Sequence, residues 1–134
     1  MGAARIMVVD DEADFRVQVR RALEHDGYQV EEAADGAEAL ERLRMEHFDL
    51  AIVDLLMPRV TGLRLLAELR GDRRKSPPAM ILTAFGDWGS YAEAVDLGAV
   101  AFLSKPLGMG ELLHEVARAL SARRGAGPRR AEAG

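Results

Sequence analysis

Asp10 and Asp11 close the apolar run Ile6-Met-Val-Val9, and Asp54 closes a second, Ala51-Ile-Val53. Carboxylates that emerge side by side from buried strands repel one another, and at least one of their pKa values must rise unless a cation is present. A divalent metal relieves that repulsion. Two or three oxygen ligands, with room left for water and phosphate oxygens, suit Mg²⁺ better than Ca²⁺. Two further apolar runs end in a hydroxyl, Ala79 to Thr83, and in a cation, Val100 to Ser104 followed by Lys105. Carboxylate, hydroxyl, ammonium and metal around one point match the spread negative charge of a transferring phosphoryl group. Aspartate can form an acyl phosphate, so Asp54 is the candidate nucleophile. His25, His47 and His114 fall late in helices or in loops and read as solvated side chains. Taken singly, Asp10 and Asp11 could be a helix cap and its neighbour, Thr83 a polar strand end, and Lys105 a surface lysine. Their joint placement carries the chemical reading.

Positioning these groups requires alternating strands and helices. Asp11 is expected to cap a first helix carrying Phe15, Val19, Ala22 and Leu23, which Gly27 ends. Tyr28 to Ala33 alternates apolar and polar residues, as an edge strand does. Asp35-Gly36 opens a helix with Ala39, Leu40 and Leu43 inward, and Thr61-Gly62 precedes one with Leu63, Leu66 and Leu69 inward. Residues 87 to 97 read as a fourth, shorter helix carrying Tyr91, Ala94, Val95 and Leu97, with Gly98 as its stop. The last helix is amphipathic through Leu112, Leu113, Val116 and Leu120. Five short β-α units imply right-handed crossovers and an α/β fold, a doubly wound parallel five-stranded sheet. Placing the first strand centrally gives the flavodoxin-like (βα)5 order 2-1-3-4-5, whose ligand crevice lies at the carboxyl ends of strands one and three. Those ends carry the three aspartates.

The 134 residues, 49% of them apolar, fit one domain with a real core. The chain has no cysteine, which fits a reducing cytoplasm, and no run of about 20 apolar residues that would span a bilayer. Arg123, Arg124, Arg129 and Arg130 against Glu132 leave +3 on residues 123 to 134, and hence −7 on residues 1 to 122, within a net −4. An acidic body of that kind argues against direct nucleic-acid binding by the domain. The Gly/Pro/Arg/Ala segment 123 to 134 is expected to be a disordered basic tail or the start of a linker cut short.

Asp10-Asp11, Asp54 with Met57-Pro58 and Gly62 after it, Thr83-Ala84, and Phe102 three residues before Lys105-Pro106 resemble the receiver domain of two-component response regulators, in order, over residues 5 to about 122. The resemblance implies a phosphoryl group passed to Asp54 from a sensor histidine kinase or a phosphotransfer protein. It implies Mg²⁺ held directly by Asp11, Asp54 and the backbone carbonyl of Leu56, and by Asp10 through water. Lys105 would pair with the phosphate, Thr83 would hydrogen-bond to it, and the Lys105-Pro106 bond would be cis. It also implies a switch in which Thr83 moves toward the phosphate and Phe102 turns inward, reshaping the face of helix four, strand five and helix five. That face could support a phosphorylation-dependent homodimer. Such a module is no enzyme beyond its own phosphorylation and dephosphorylation. Leu56 and Phe85 are apolar where many relatives carry polar groups near the hydrolytic water, so slow self-dephosphorylation is expected. A haloacid dehalogenase phosphatase would want an acid two residues after the nucleophile, where Leu56 stands. A flavodoxin would want a Ser/Thr/Gly-rich phosphate loop where Asp10-Asp11-Glu12 stands. A pure interaction domain would not need the complete set of acids, hydroxyl and lysine.

Overall fold

The computed structural model describes residues 2–71, 76–84 and 87–124. Five strands alternate with five helices: β1 (Arg5–Val9), α1 (Ala13–His25), β2 (Gln29–Ala33), α2 (Gly36–Met45), β3 (Leu50–Asp54), α3 (Gly62–Arg70), β4 (Ala79–Thr83), α4 (Tyr91–Asp96), β5 (Ala99–Ser104) and α5 (Met109–Arg124). All neighbouring strands are parallel, in the order β2-β1-β3-β4-β5. This is the flavodoxin-like doubly wound arrangement. Side chains alternate across each strand, so each buried strand feeds two cores. Met7, Val9, Ala51, Val53 and Ile81 pack on one face with Ala39, Leu43, Leu65 and Leu69. Ile6, Val8, Leu50, Ile52, Met80 and Leu82 pack on the other with Val19, Leu23, Leu112 and Val116. Among the described residues no helix is long and apolar enough to cross a membrane.

Local signals explain several helix ends. The Asp35 side chain accepts the Glu38 N–H at 2.8 Å while Glu38 accepts the Ala34 N–H at 3.0 Å, a reciprocal cap for α2. Thr61 caps α3 through the Arg64 N–H at 3.1 Å. Gly27 and Gly98, at φ 94° and 96°, follow the ends of α1 and α4 in the left-handed conformation that glycine adopts without strain.

Three local expectations need correction. The residue capping α1 is Glu12, whose own side chain makes no capping hydrogen bond. Asp11 is exposed, while the Glu12 N–H is taken by Asp10 Oδ1 at 2.9 Å. Asp11 is therefore not the helix cap, and Asp10 keeps its second oxygen for the crevice. The fourth helix is six residues, 91 to 96, not eleven, and Tyr91 and Val95 are half exposed, because so short a helix buries little beyond Ala94. In α3, Leu65 is fully buried beside Leu66 and Leu69, whereas Leu63 is only partly buried. The segment expected as a tail lies, from residue 125 onward, outside the described residues, as does Phe85.

Candidate functional site

The carboxyl ends of β1 and β3 lie side by side, with Val9 opposite Val53. The next residue on each strand is an aspartate, so parallel register alone makes Asp10 and Asp54 neighbours. Both are buried, and with exposed Asp11 they offer oxygens that all lie within 4.8 Å of one another. Gly62 makes room for the turn after β3: a Cβ there would sit 2.6 Å from the Asp54 carbonyl oxygen and 3.0 Å from Leu55 Cα.

From the far side of the sheet, β5 delivers Lys105. Its backbone N–H donates to the Thr83 carbonyl at 2.7 Å, and the Lys105-Pro106 bond is cis. Lys105 Nζ donates to Asp10 Oδ2 at 2.8 Å and to Glu12 Oε1 at 3.3 Å, and stands 3.9 Å from Asp54 Oδ1. The two buried acids are thus unequal. Asp10 has a partner on each oxygen. Asp54 has a longer charge contact, and its pKa is pushed up to about 6, first by burial and then by the Asp10 charge, with Lys105 pulling the other way. Burial also disfavours charged Lys105, but its hydrogen bond to Asp10 and the Asp54 charge outweigh that and raise its pKa.

The donor set fits a hard divalent cation. Three carboxylates converge on one point, one of them with its pKa raised by burial and by the Asp10 charge, and a cation between them would offset the repulsion. Leu56 follows in the β3–α3 loop with its side chain exposed. Thr83 is fully buried at the end of β4, with its hydroxyl donated to the Asp87 carbonyl at 3.1 Å. Phe102 is buried under Trp88 and Tyr91, with ring centroids 5.4 Å away in each case. The histidines lie elsewhere: His25 in the last turn of α1, His114 in α5, and His47 against Asp49 before β3 at 3.2 Å.

Three residues that the sequence did not single out for the site complete its frame. Glu12 bonds Lys105, and the Phe15 ring lies under Nζ, 4.3 Å from its centroid. Arg16 Nη1 donates to the Asp10 carbonyl at 2.6 Å while its Nε bonds Glu32 on β2 at 3.0 Å. Helical spacing marked Phe15 as core, and nothing local could point to Arg16, whose partners are six and sixteen residues away.

The family model for the response regulator receiver domain matches residues 6–117. Response regulator MprA of Mycobacterium tuberculosis is 39% identical over 111 residues, covering 83% of this chain and 48% of that protein. The chain spans about half the length of the curated relatives it matches. Among solved structures, the chemotaxis protein CheY4 of Vibrio cholerae has a TM-score of 0.82 at 34% identity, covering 88% of this chain and 99% of that one. Response regulator TrrA of Thermotoga maritima, solved in complex with Mg(2+)-BeF, has a TM-score of 0.77 at 30% identity, covering 87% and 98%.

Proposed function

The chain belongs to the response regulator receiver family, and from that premise we propose that it takes a phosphoryl group onto Asp54 in a Mg²⁺-dependent reaction. The observation that carries this reading is the buried Asp54 carboxylate, 3.9 Å from Lys105 and grouped with Asp10 and Asp11. An Asp54 oxygen attacks phosphorus, the P–N bond to the histidine of a sensor kinase or phosphotransfer protein breaks, and the imidazole leaves. Asp11, Asp54 and the Leu56 carbonyl would hold Mg²⁺ directly and Asp10 through water, and the ion would offset charge on the phosphoryl oxygens. Lys105 pairs with that charge, and Thr83 exchanges the Asp87 carbonyl for a phosphoryl oxygen. The complexed TrrA structure supports assigning this metal to the acid cluster.

The switch then runs through packing. A phosphoryl group carries about −2 charge and three acceptor oxygens, and drawing Thr83 away from Asp87 frees the segment that carries Trp88 and Tyr91. Phe102, lacking a hydroxyl, responds by repacking against those rings. The altered α4–β5–α5 face controls a partner, an output domain or a homodimer. Residues 1–122 form the receiver and 123–134 its basic tail or linker, whose first two residues continue α5. The domain contacts neither nucleic acid nor membrane, works in the cytoplasm, and catalyses only its own phosphorylation and dephosphorylation. Exposed Leu56, apolar beside the acids, slows attack by water.

Incubation with Mg²⁺ and acetyl phosphate, followed by intact mass, tests the central claim. One phosphoryl group is expected on the wild type and none on Asp54→Asn or without Mg²⁺. Equal uptake by Asp54→Asn would refute it. A half-life of seconds for the phosphorylated form would refute the Leu56 argument.

A further inference from the structure

Lys105 is approached from four sides, and only three of them are carboxylates. Its ammonium has three N–H donors. Two are committed, to Asp10 at 2.8 Å and Glu12 at 3.3 Å, whereas Asp54 at 3.9 Å is a charge contact beyond hydrogen-bonding reach. The fourth neighbour is the face of Phe15, 4.3 Å from Nζ to its centroid. A ring face attracts a cation through its quadrupole and needs no directed donor. Phe15 stands in the first turn of α1 and packs against the core beneath α1 and α5. Glu12, by contrast, is an exposed side chain at 68%, and lysine has a flexible four-carbon stem. Carboxylates alone would leave the ammonium loosely placed or would occupy the donors it needs.

We propose that Phe15 is a positioning residue for Lys105: its ring seats the ammonium at the acid crevice and leaves one N–H available to an incoming phosphoryl oxygen. The inference rests on the reading of Asp54 as phosphoacceptor. A purely structural Phe15 would tolerate any ring of equal volume. A seat for a cation depends on the electron density of the ring face.

The test replaces Phe15 with ring-fluorinated phenylalanines carrying one, two or three fluorines, which weaken the quadrupole with little change of volume. The initial rate of phosphorylation of the full chain by acetyl phosphate and Mg²⁺ should fall stepwise with fluorine number, reaching roughly 5-fold. Phe15→Leu should fall at least as far, and Phe15→Tyr should retain the wild-type rate. A second readout needs no metal and no phosphate. The ε-methylene protons of Lys105 should show an upfield ring-current shift in NMR spectra of the wild type and Phe15→Tyr, lost in Phe15→Leu. A flat rate across the fluorinated series, with wild type fully phosphorylated, overturns the role of Phe15 and leaves Asp54 standing. A wild type that takes no phosphate overturns the phosphoacceptor reading and this inference with it. Should Phe15→Leu unfold, the near-isosteric fluorinated series decides.

Discussion

Charges are handled in opposite ways at the two ends of the sheet. At the amino ends, Arg5 bonds Glu46 at 3.0 Å and lies over the Phe48 ring, its backbone N–H meets Asp49, and Arg42 pairs with Glu46 and Glu31. Opposite charges alternate there, and hydrogen bonds from Arg42 and Arg5 hold the Glu46 carboxyl below the usual range. At the carboxyl ends, Asp10, Glu12 and Asp54 share Lys105 with Asp11 close beside them, and Asp54 is pushed up to about 6. One end is a completed network. The other is left short of positive charge, which is where a cation and a phosphoryl group have something to gain.

Asp54→Asn should produce the largest effect: complete loss of phosphoryl uptake by intact mass, together with a gain in metal-free stability of about 1–3 kcal/mol at pH 8. The sign follows from the raised pKa. Below the ordinary value of 3.8 the carboxyl is neutral folded or unfolded, and the penalty for ionising it in the fold grows with pH until it is full above about 6. Urea unfolding of the metal-free wild type should therefore lose stability relative to Asp54→Asn across that window, and saturating Mg²⁺ should shrink the gap. Gly62→Ala comes next. A Cβ placed 2.6 Å from the Asp54 carbonyl oxygen must displace the strand or the helix, lowering the urea-derived stability by about 2 kcal/mol and weakening Mg²⁺ binding in a titration.

At the balanced end, Arg5→Ala should cost about 1 kcal/mol, through lost contact with Phe48 as much as lost charge. Phosphorylation by acetyl phosphate should proceed at the wild-type rate. Smallest is Glu46→Gln, detectable through its pH dependence. Glu46 contributes stability above its ordinary value of 4.5 that is lost as pH falls through its lowered folded value, so the variant should lose less on acidification. A large effect of Glu46→Gln on phosphorylation would erase the contrast between the two ends.

Strand ends were the readable part of this site. Asp10, Asp54, Thr83 and Lys105 announce themselves because each follows a short apolar run, and parallel register does the rest. Neighbourhoods built by helices were less readable. Helical spacing classes Phe15 as a core residue whichever atom lies over its ring, and the link from Arg16 to Asp10 and Glu32 depends on how α1 sits over β1 and β2. Asp11 looked like a cap because cap and metal acid have the same residue preference. Tyr91 and Val95 matched a buried helical stripe, but a six-residue helix beside an edge strand has too little to pack against.

The ring cluster around Phe102 also gives the chain its own optical reporter. Trp88 is the sole tryptophan, half exposed, 5.4 Å from Phe102 and 6.4 Å from Tyr91. Its emission therefore arises from one indole, in contact with Phe102 on the strand that leads to Lys105. Quenching and spectral shift can be followed in real time without a dye, and the same indole that signals a change at the surface is part of that surface.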